Sequence, residues 1–98
     1  MTKRISKQRL ESVLKKATQF AEINTGDYIQ HYWKGFVEGL KSTKIKSKKY
    51  CAQVEEFASI PSRDFTEAHF LGLANAIRWR KGIEQIDANK RLSNQSCI

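Results

Sequence analysis

The sequence predicts an all-α protein, a small bundle of about four helices with a flexible C-terminal tail. Four stretches place apolar residues at helical spacing, and no stretch alternates apolar and polar residues for long enough to predict a strand. The length of 98 residues allows one domain. We therefore expect residues 1–98 to form a single helical domain, with about 89–98 as a frayed tail.

The first two helices are predicted over about 6–23 and 26–41. Ser6 has the position and the side chain of an N-cap for the first helix. Gly35 and Gly39, four residues apart in the second helix, can let another helix approach closely. The second stretch carries a broad apolar stripe: Tyr28, Ile29, Tyr32, Trp33, Phe36, Val37 and Leu40.

The third and fourth helices are predicted over about 47–59 and 66–88. Pro61 must separate them, because proline lacks a backbone donor and moves the residue before it out of the helical region. Thr66 is expected to be the N-cap of the fourth helix, with Phe65 and Phe70 at the positions of a hydrophobic staple.

The charge of the chain predicts an acidic partner. The formal net charge is +8, which favours nucleic acid, an anionic membrane or an acidic protein surface. Much of the excess lies in one run without acids: Lys41, Lys44, Lys46, Lys48 and Lys49. This run has two interpretations, a surface that binds phosphates and a solvated, flexible connector.

Nothing in the sequence predicts catalysis, a metal or a cofactor. His31 and His69 stand on different helices without motif spacing, zinc ligands do not cluster, and there is no glycine-rich phosphate loop. We therefore expect a protein that is not an enzyme. Cys51 and Cys97 form no motif, which indicates a reduced, cytoplasmic protein. No apolar run approaches the length of a membrane span.

Residues 50–82 suggest a helix-turn-helix, a short helix and a turn at 59–65 followed by a long helix with polar residues such as Asn75. The turn contains a proline and is longer than usual, and the start of the second helix, where bases are read, carries Glu67 and His69. A small basic DNA-binding regulator that uses this segment and the lysine run is therefore the alternative function.

A protein partner is the other prediction. Trp, Tyr and Arg are favoured anchors at interfaces, and the sequence Arg78-Trp79-Arg80-Lys81 combines them on consecutive positions, of which at least one must face outward. Tyr32, Trp33 and Trp79 serve either the core or such a surface. The candidate partner-binding residues are Ser59, Ile60, Pro61, Arg63, Arg78, Trp79, Arg80 and Lys81.

The chain resembles the anti-RecBCD accessory proteins of P22-like lambdoid phages. The resemblance rests on its length, its basic helical character, its lack of a catalytic motif and the segment Ser59-Ile60-Pro61-Ser62-Arg63. The resemblance implies binding to the RecC subunit of the host recombination nuclease RecBCD, in the bacterial cytoplasm, and altered processing of DNA ends. It also implies a host peptidyl-prolyl isomerase as a partner at Pro61. The positive net charge excludes a mechanism that mimics DNA.

Overall fold

The computed structural model describes residues 6–23, 26, 28–60 and 65–87. These residues form four helices, α1 (Lys7–Glu22), α2 (Tyr28–Lys41), α3 (Lys48–Ser59) and α4 (Phe65–Lys81), and the described ranges contain no strand. The all-α class and the number of helices are thus confirmed. The predicted tail at about 89–98, with Cys97, lies outside the described residues.

Serine hydroxyls begin two of the helices. The backbone N–H of Arg9 donates to Ser6 Oγ at 3.2 Å, and that of Tyr50 donates to Ser47 Oγ at 3.2 Å. Each bond satisfies a donor that the first turn of a helix leaves without an intrahelical partner. The N-cap predicted at Ser6 is confirmed.

The start of α4 differs from the prediction. The helix begins at Phe65, so Thr66 lies inside its first turn and is not the N-cap. Phe65 turns away from Phe70 and stacks on His31 of α2, with ring centroids 4.2 Å apart. Phe70 instead stacks on Phe57 of α3 at 5.0 Å. Contacts with neighbouring helices have replaced the local staple.

The end of α4 also differs, since the helix stops at Lys81 and not at about 88. Gly82 has a φ of 71°, a left-handed conformation that glycine adopts without steric cost. Its N–H donates to the carbonyl of Trp79 at 3.1 Å, and the N–H of Ile83 donates to that of Arg78 at 2.8 Å. This pair of bonds is a Schellman termination.

The helices α2 and α4 run parallel at the centre of the bundle. Gly35 lies against the backbone of His69, and Gly39, one turn later, lies against Ala76. A Cβ atom at Gly35 would overlap the carbonyl oxygen of His69, and one at Gly72 would overlap that of Tyr32. The close approach that the spacing of Gly35 and Gly39 allows is therefore made, and α4 is the helix that makes it.

The two outer helices run antiparallel to this central pair. In α1, Phe20 stacks on Trp33 at 4.9 Å, whereas Arg9, near its other end, lies over Trp79 at 5.9 Å. In α3, Phe57 meets the first half of α4, and its earlier residues meet the last turns. The C-terminal ends of α1 and α3 therefore lie beside the N-terminal ends of α2 and α4.

The core consists of two clusters that share α4. The cluster between α3 and α4 contains Val54, Ala58, Leu71, Leu73, Ala74 and Ile77. The cluster on the α1 side contains Ala17, Phe36, Leu40 and Ala76. Because α4 contributes to both, all of its residues from 71 to 77 are buried.

Candidate interaction surfaces

One end of the bundle exposes a group of large apolar side chains. Of the seven that are exposed in the described ranges, six lie where α1 and α3 end and where α2 and α4 begin. We call these six the apolar pole: Phe20, Ile23, Ile29, Phe57, Ile60 and Phe65, which are between 46% and 59% exposed. The seventh, Ile83, follows the C-terminal end of α4 at the opposite end of the bundle.

Two of the predicted partner-binding residues lie at the apolar pole. Ser59 is the last residue of α3, and its hydroxyl donates to the carbonyl of Glu56 at 2.7 Å. Ile60, which follows it, is 46% exposed. Pro61 and Arg63 lie outside the described residues.

The predicted run 78–81 lies at the opposite end of α4, about 24 Å away for a helix of this length. Two of its side chains contact α3. Arg78 Nε forms an ion pair with Glu55 Oε1 at 2.7 Å, and its Nη1 donates to the carbonyl of Glu84 at 2.8 Å. Lys81 Nζ lies 3.3 Å from Cys51 Sγ.

The other two residues of the run contact α1 and the end of α2. Trp79 packs in the α1-side cluster beneath the guanidinium of Arg9. Arg80 Nη1 donates to the carbonyl oxygens of Gly39 at 3.1 Å and Ser42 at 2.6 Å, which belong to the last turn of α2 and the residue after it. All four side chains of the run therefore join α4 to the rest of the bundle, and the structure does not bring them together with Ser59 and Ile60.

The lysine run extends from the last residue of α2, through the loop between α2 and α3, to the first two residues of α3. Ser42 Oγ accepts the backbone N–H of Lys44 at 3.1 Å, and the thiol of Cys51 donates to the carbonyl of Ile45 at 3.3 Å. Ile45 packs against the α3–α4 cluster and anchors the loop. The five lysine side chains are nevertheless exposed: Lys41, Lys44, Lys46, Lys48 and Lys49. Phosphate binding by this run stays a prediction.

A groove of about 500 Å³ lies between this loop and the second half of α2. Its lining includes Lys34, Lys41 and Lys44, with the Tyr50 ring from the first turn of α3. Sequence reasoning missed Lys34 and Tyr50. The signal for Lys34 was present, because a residue seven positions before Lys41 lies two turns away on the same helix face.

In the helix-turn-helix interpretation α4 would read the bases, but two of its polar side chains are buried. Glu67, near the start of α4, is 2% exposed, and Asn75 is 1% exposed. Asn75 is hydrogen-bonded to Tyr32 and Ile86, so it is not available to a base. A recognition helix must leave one face free to enter a groove of DNA, whereas α4 packs against both α2 and α3 and all of its residues from 71 to 77 are buried.

Both histidines make contacts within the bundle. His69 Nε2 lies 2.7 Å from Glu38 Oε2, and His31 stacks on Phe65. Within the described ranges, the structure brings together no group of three or more His, Cys, Asp or Glu side chains that could hold a metal ion. In the same ranges, no helix has both the length and the apolar character to cross a membrane.

The described surface thus offers two candidate regions at opposite ends of the bundle, the apolar pole and the lysine-lined groove. The first presents side chains that water solvates poorly, and the second presents a concentration of positive charge. A comparison of the chain with protein-family models, with curated proteins and with solved structures finds no match.

Proposed function

We propose that this chain is a non-enzymatic binding protein that docks through its apolar pole on a host protein, the RecC subunit of RecBCD, and thereby alters the processing of DNA ends. The observation that carries the docking is the grouping of six half-exposed Phe and Ile side chains at one end of the bundle. Large apolar side chains left exposed together at one end of a folded protein indicate an interaction site. The partner comes from the resemblance described above.

The energetics support docking at this end. Complete burial of a half-exposed Phe or Ile side chain contributes about 1 kcal/mol before the costs of association. Phe20 and Phe65 are already held by stacking on Trp33 and His31, so less rotamer freedom remains to be lost when a partner covers them. The side chains of 78–81 would first have to break their contacts with the bundle.

The test measures the affinity of purified RecBCD for the chain and for two variants. Ile29→Asp combined with Ile60→Asp is expected to weaken binding about tenfold or more, because a carboxylate cannot be buried against an apolar partner without a large cost. Both side chains are exposed, and an acid in the first turn of α2 is favourable to the helix dipole, so the helical circular dichroism is expected to persist.

Ile83→Asp is the control for position, and it is matched to Ile60→Asp alone, because each of these substitutions adds one carboxylate. Ile83 is 48% exposed, close to the value for Ile60, but it lies at the other end of the bundle. We expect this variant to change the affinity less than about twofold. Equal losses from Ile83→Asp and from the double variant, or no binding of the parent chain, would contradict the proposal.

We propose that the isomerase implied by the resemblance acts on the Ile60-Pro61 bond. Ile60 belongs to the apolar pole, and the bond lies between α3 and α4 in the sequence, so its isomer bears on a surface that the partner would contact. X–Pro bonds exchange over tens to hundreds of seconds. The same assay with added isomerase is expected to accelerate binding of the parent chain but not of Pro61→Ala. Identical binding kinetics with and without isomerase, for both the parent chain and Pro61→Ala, would contradict the proposal that the isomerase is a partner.

A further inference from the structure

The lysine-lined groove has the layout of a site for an extended anion. Lys34 and Lys41 stand seven residues apart on α2, which places them about 10 Å apart along one helix face. Lys44 reaches the groove from the loop, and its Nζ lies over the Tyr50 ring, 5.7 Å from the ring centre, so a base that stacks on this face must displace the ammonium. The groove is open to solvent and does not enclose a ligand, which suits part of a larger molecule better than an enclosed small molecule.

Neighbouring contacts reduce the negative potential in the groove. The C-terminal end of a helix is electronegative, but Arg80 covers the carbonyls of Gly39 and Ser42 at the end of α2 with charge-assisted hydrogen bonds. Among the described residues that line the groove, the acid is Glu38, whose carboxylate Oε2 lies 2.7 Å from His69 Nε2. Three lysines against this one carboxylate give the groove lining a net positive charge.

Two lysines beside the groove lie at the start of α3, where positive charge does not stabilise a helix. The first turn of a helix favours acids, yet α3 has none there and begins with Lys48-Lys49. Both side chains are exposed and extend the positive surface beyond the groove. The helix dipole does not account for their position.

We propose that this groove binds a single strand of nucleic acid, with phosphates on Lys34, Lys41 and Lys44 and a base against the ring of Tyr50. Cations that follow a backbone, combined with an aromatic ring, are the usual means of binding single strands without sequence preference. A duplex would present phosphates to the lysines but would keep the faces of its bases stacked away from Tyr50. This site requires no partner protein and therefore goes beyond the function proposed above.

The test is fluorescence anisotropy of a labelled oligo-dT titrated with the full chain at several salt concentrations. The groove variant carries Lys34→Gln, Lys41→Gln and Lys44→Gln. The control carries Lys7→Gln, Lys15→Gln and Lys16→Gln, three exposed lysines of α1 that do not line the groove. Both variants lose three positive charges, so they differ in the location of the charge and not in its amount.

We expect the groove variant to lose about tenfold or more in affinity at moderate salt, and the control to lose less than about threefold. Each phosphate contact on a single strand contributes about 0.7 to the slope of log K against log salt, so the magnitude of the slope is expected to fall by about 2 in the groove variant. Glu38→Gln is expected to tighten binding, because it removes a negative charge from the groove lining.

Substitution of Tyr50 tests the stacking. Tyr50→Phe keeps an aromatic face and is expected to bind like the parent, whereas Tyr50→Leu is expected to bind about tenfold more weakly, within the range found for loss of one stacked base. Circular dichroism of both variants confirms that the helices persist. Equal binding by Tyr50→Phe and Tyr50→Leu would show that no base stacks on Tyr50.

Three further outcomes would overturn the site as a whole. Equal losses from the groove and control variants would show that net charge alone drives binding. Tighter binding of a duplex of the same length would reject the single strand as the ligand. No binding of oligo-dT by the parent chain, with RecBCD affinity reduced by the groove variant, would assign the groove to an acidic protein surface. Because RecBCD is absent from the DNA titration, failure here leaves the docking proposal standing.

Discussion

Asn75 is a polar side chain in the middle of the most buried helix, and its three hydrogen bonds explain its presence there. Its Nδ2 donates to Tyr32 Oη at 2.9 Å and to the carbonyl of Ile86 at 3.0 Å, while its Oδ1 accepts the N–H of Ile86 at 2.7 Å. A buried amide costs little when its donors and acceptor are paired. Asn75 thereby fastens the segment after α4 to the core and links it to α2.

The burial of Tyr32 predicts how the free energy of unfolding depends on pH in the alkaline range. Burial raises the pKa of Tyr32 above its usual 10.0, and the hydrogen bond from Asn75 opposes part of that rise. The folded protein therefore holds the phenolic proton more tightly than the unfolded chain, so the free energy of unfolding falls as the pH rises above about 10. Tyr32→Phe is expected to cost about 1 kcal/mol at neutral pH through loss of one hydrogen bond.

Urea unfolding checks both the alkaline loss of stability and the cost of Tyr32→Phe. It is measured for the parent and the variant at neutral pH and through the alkaline range. The variant is expected to lose less stability than the parent between neutral and alkaline pH, because residue 32 no longer titrates. Parallel pH profiles for the two proteins would show that the Tyr32 phenol has no part in the alkaline loss.

At the scale of the elements, α4 is distinguished by having several buried faces and not one. Gly72 and Ala76, four residues apart, let α2 approach, while Leu71, Ala74 and Ile77 pack in the cluster with α3. Small residues are required on the α2 side because the two backbones nearly touch there. Apolar and small residues therefore occupy more than one face of α4.

Gly72→Ala is expected to destabilise the protein by about 3 kcal/mol or more, since the new methyl group would overlap the carbonyl oxygen of Tyr32 and backbone cannot give way as a side chain can. Gly82→Ala is the comparison, because it adds the same group at a left-handed position that ends α4 and is expected to cost about 1 kcal/mol. Urea unfolding measures both. Equal costs would contradict the close α2–α4 crossing.

At the scale of the whole molecule, the bundle separates its surface chemistry by end. The N-terminal ends of α1 and α3 and the C-terminal ends of α2 and α4 lie together, and basic residues occupy all four, whereas the large exposed apolar side chains lie mostly at the other end. Cations suit the ends of α2 and α4 but not the first turns of α1 and α3. Helix stability therefore accounts for only half of this separation.

We expect the two ends to act independently. They are about 24 Å apart along α4, and effects of substitutions at that distance usually add. The double variant at Ile29 and Ile60 is expected to change oligo-dT affinity less than about twofold, and the groove variant is expected to change RecBCD affinity no more than its charge-matched control does. Titrations of all variants against both ligands measure this, and a large effect across the bundle would show that the ends are coupled.

The features that the sequence by itself determined are those that depend on nearby residues. Helical periodicity, the cap at Ser6 and the acid-free lysine run involve residues within a few positions of one another, so three helices were predicted to within about two residues at each end. The fourth was predicted too long because Gly82 can either continue or end a helix, and in the structure its left-handed conformation ends α4.

Tertiary structure alone decided which surfaces each helix presents. Arg80 meets the carbonyl of Gly39 across 41 positions of sequence, and Asn75 meets Tyr32 across 43, so no local pattern could assign these partners. The same pairing of helices turned 78–81 toward the bundle, gathered apolar side chains at one end and set Lys34 beside Tyr50. A helix sequence specifies which faces are apolar, but the neighbour that covers each face depends on how all four helices pack.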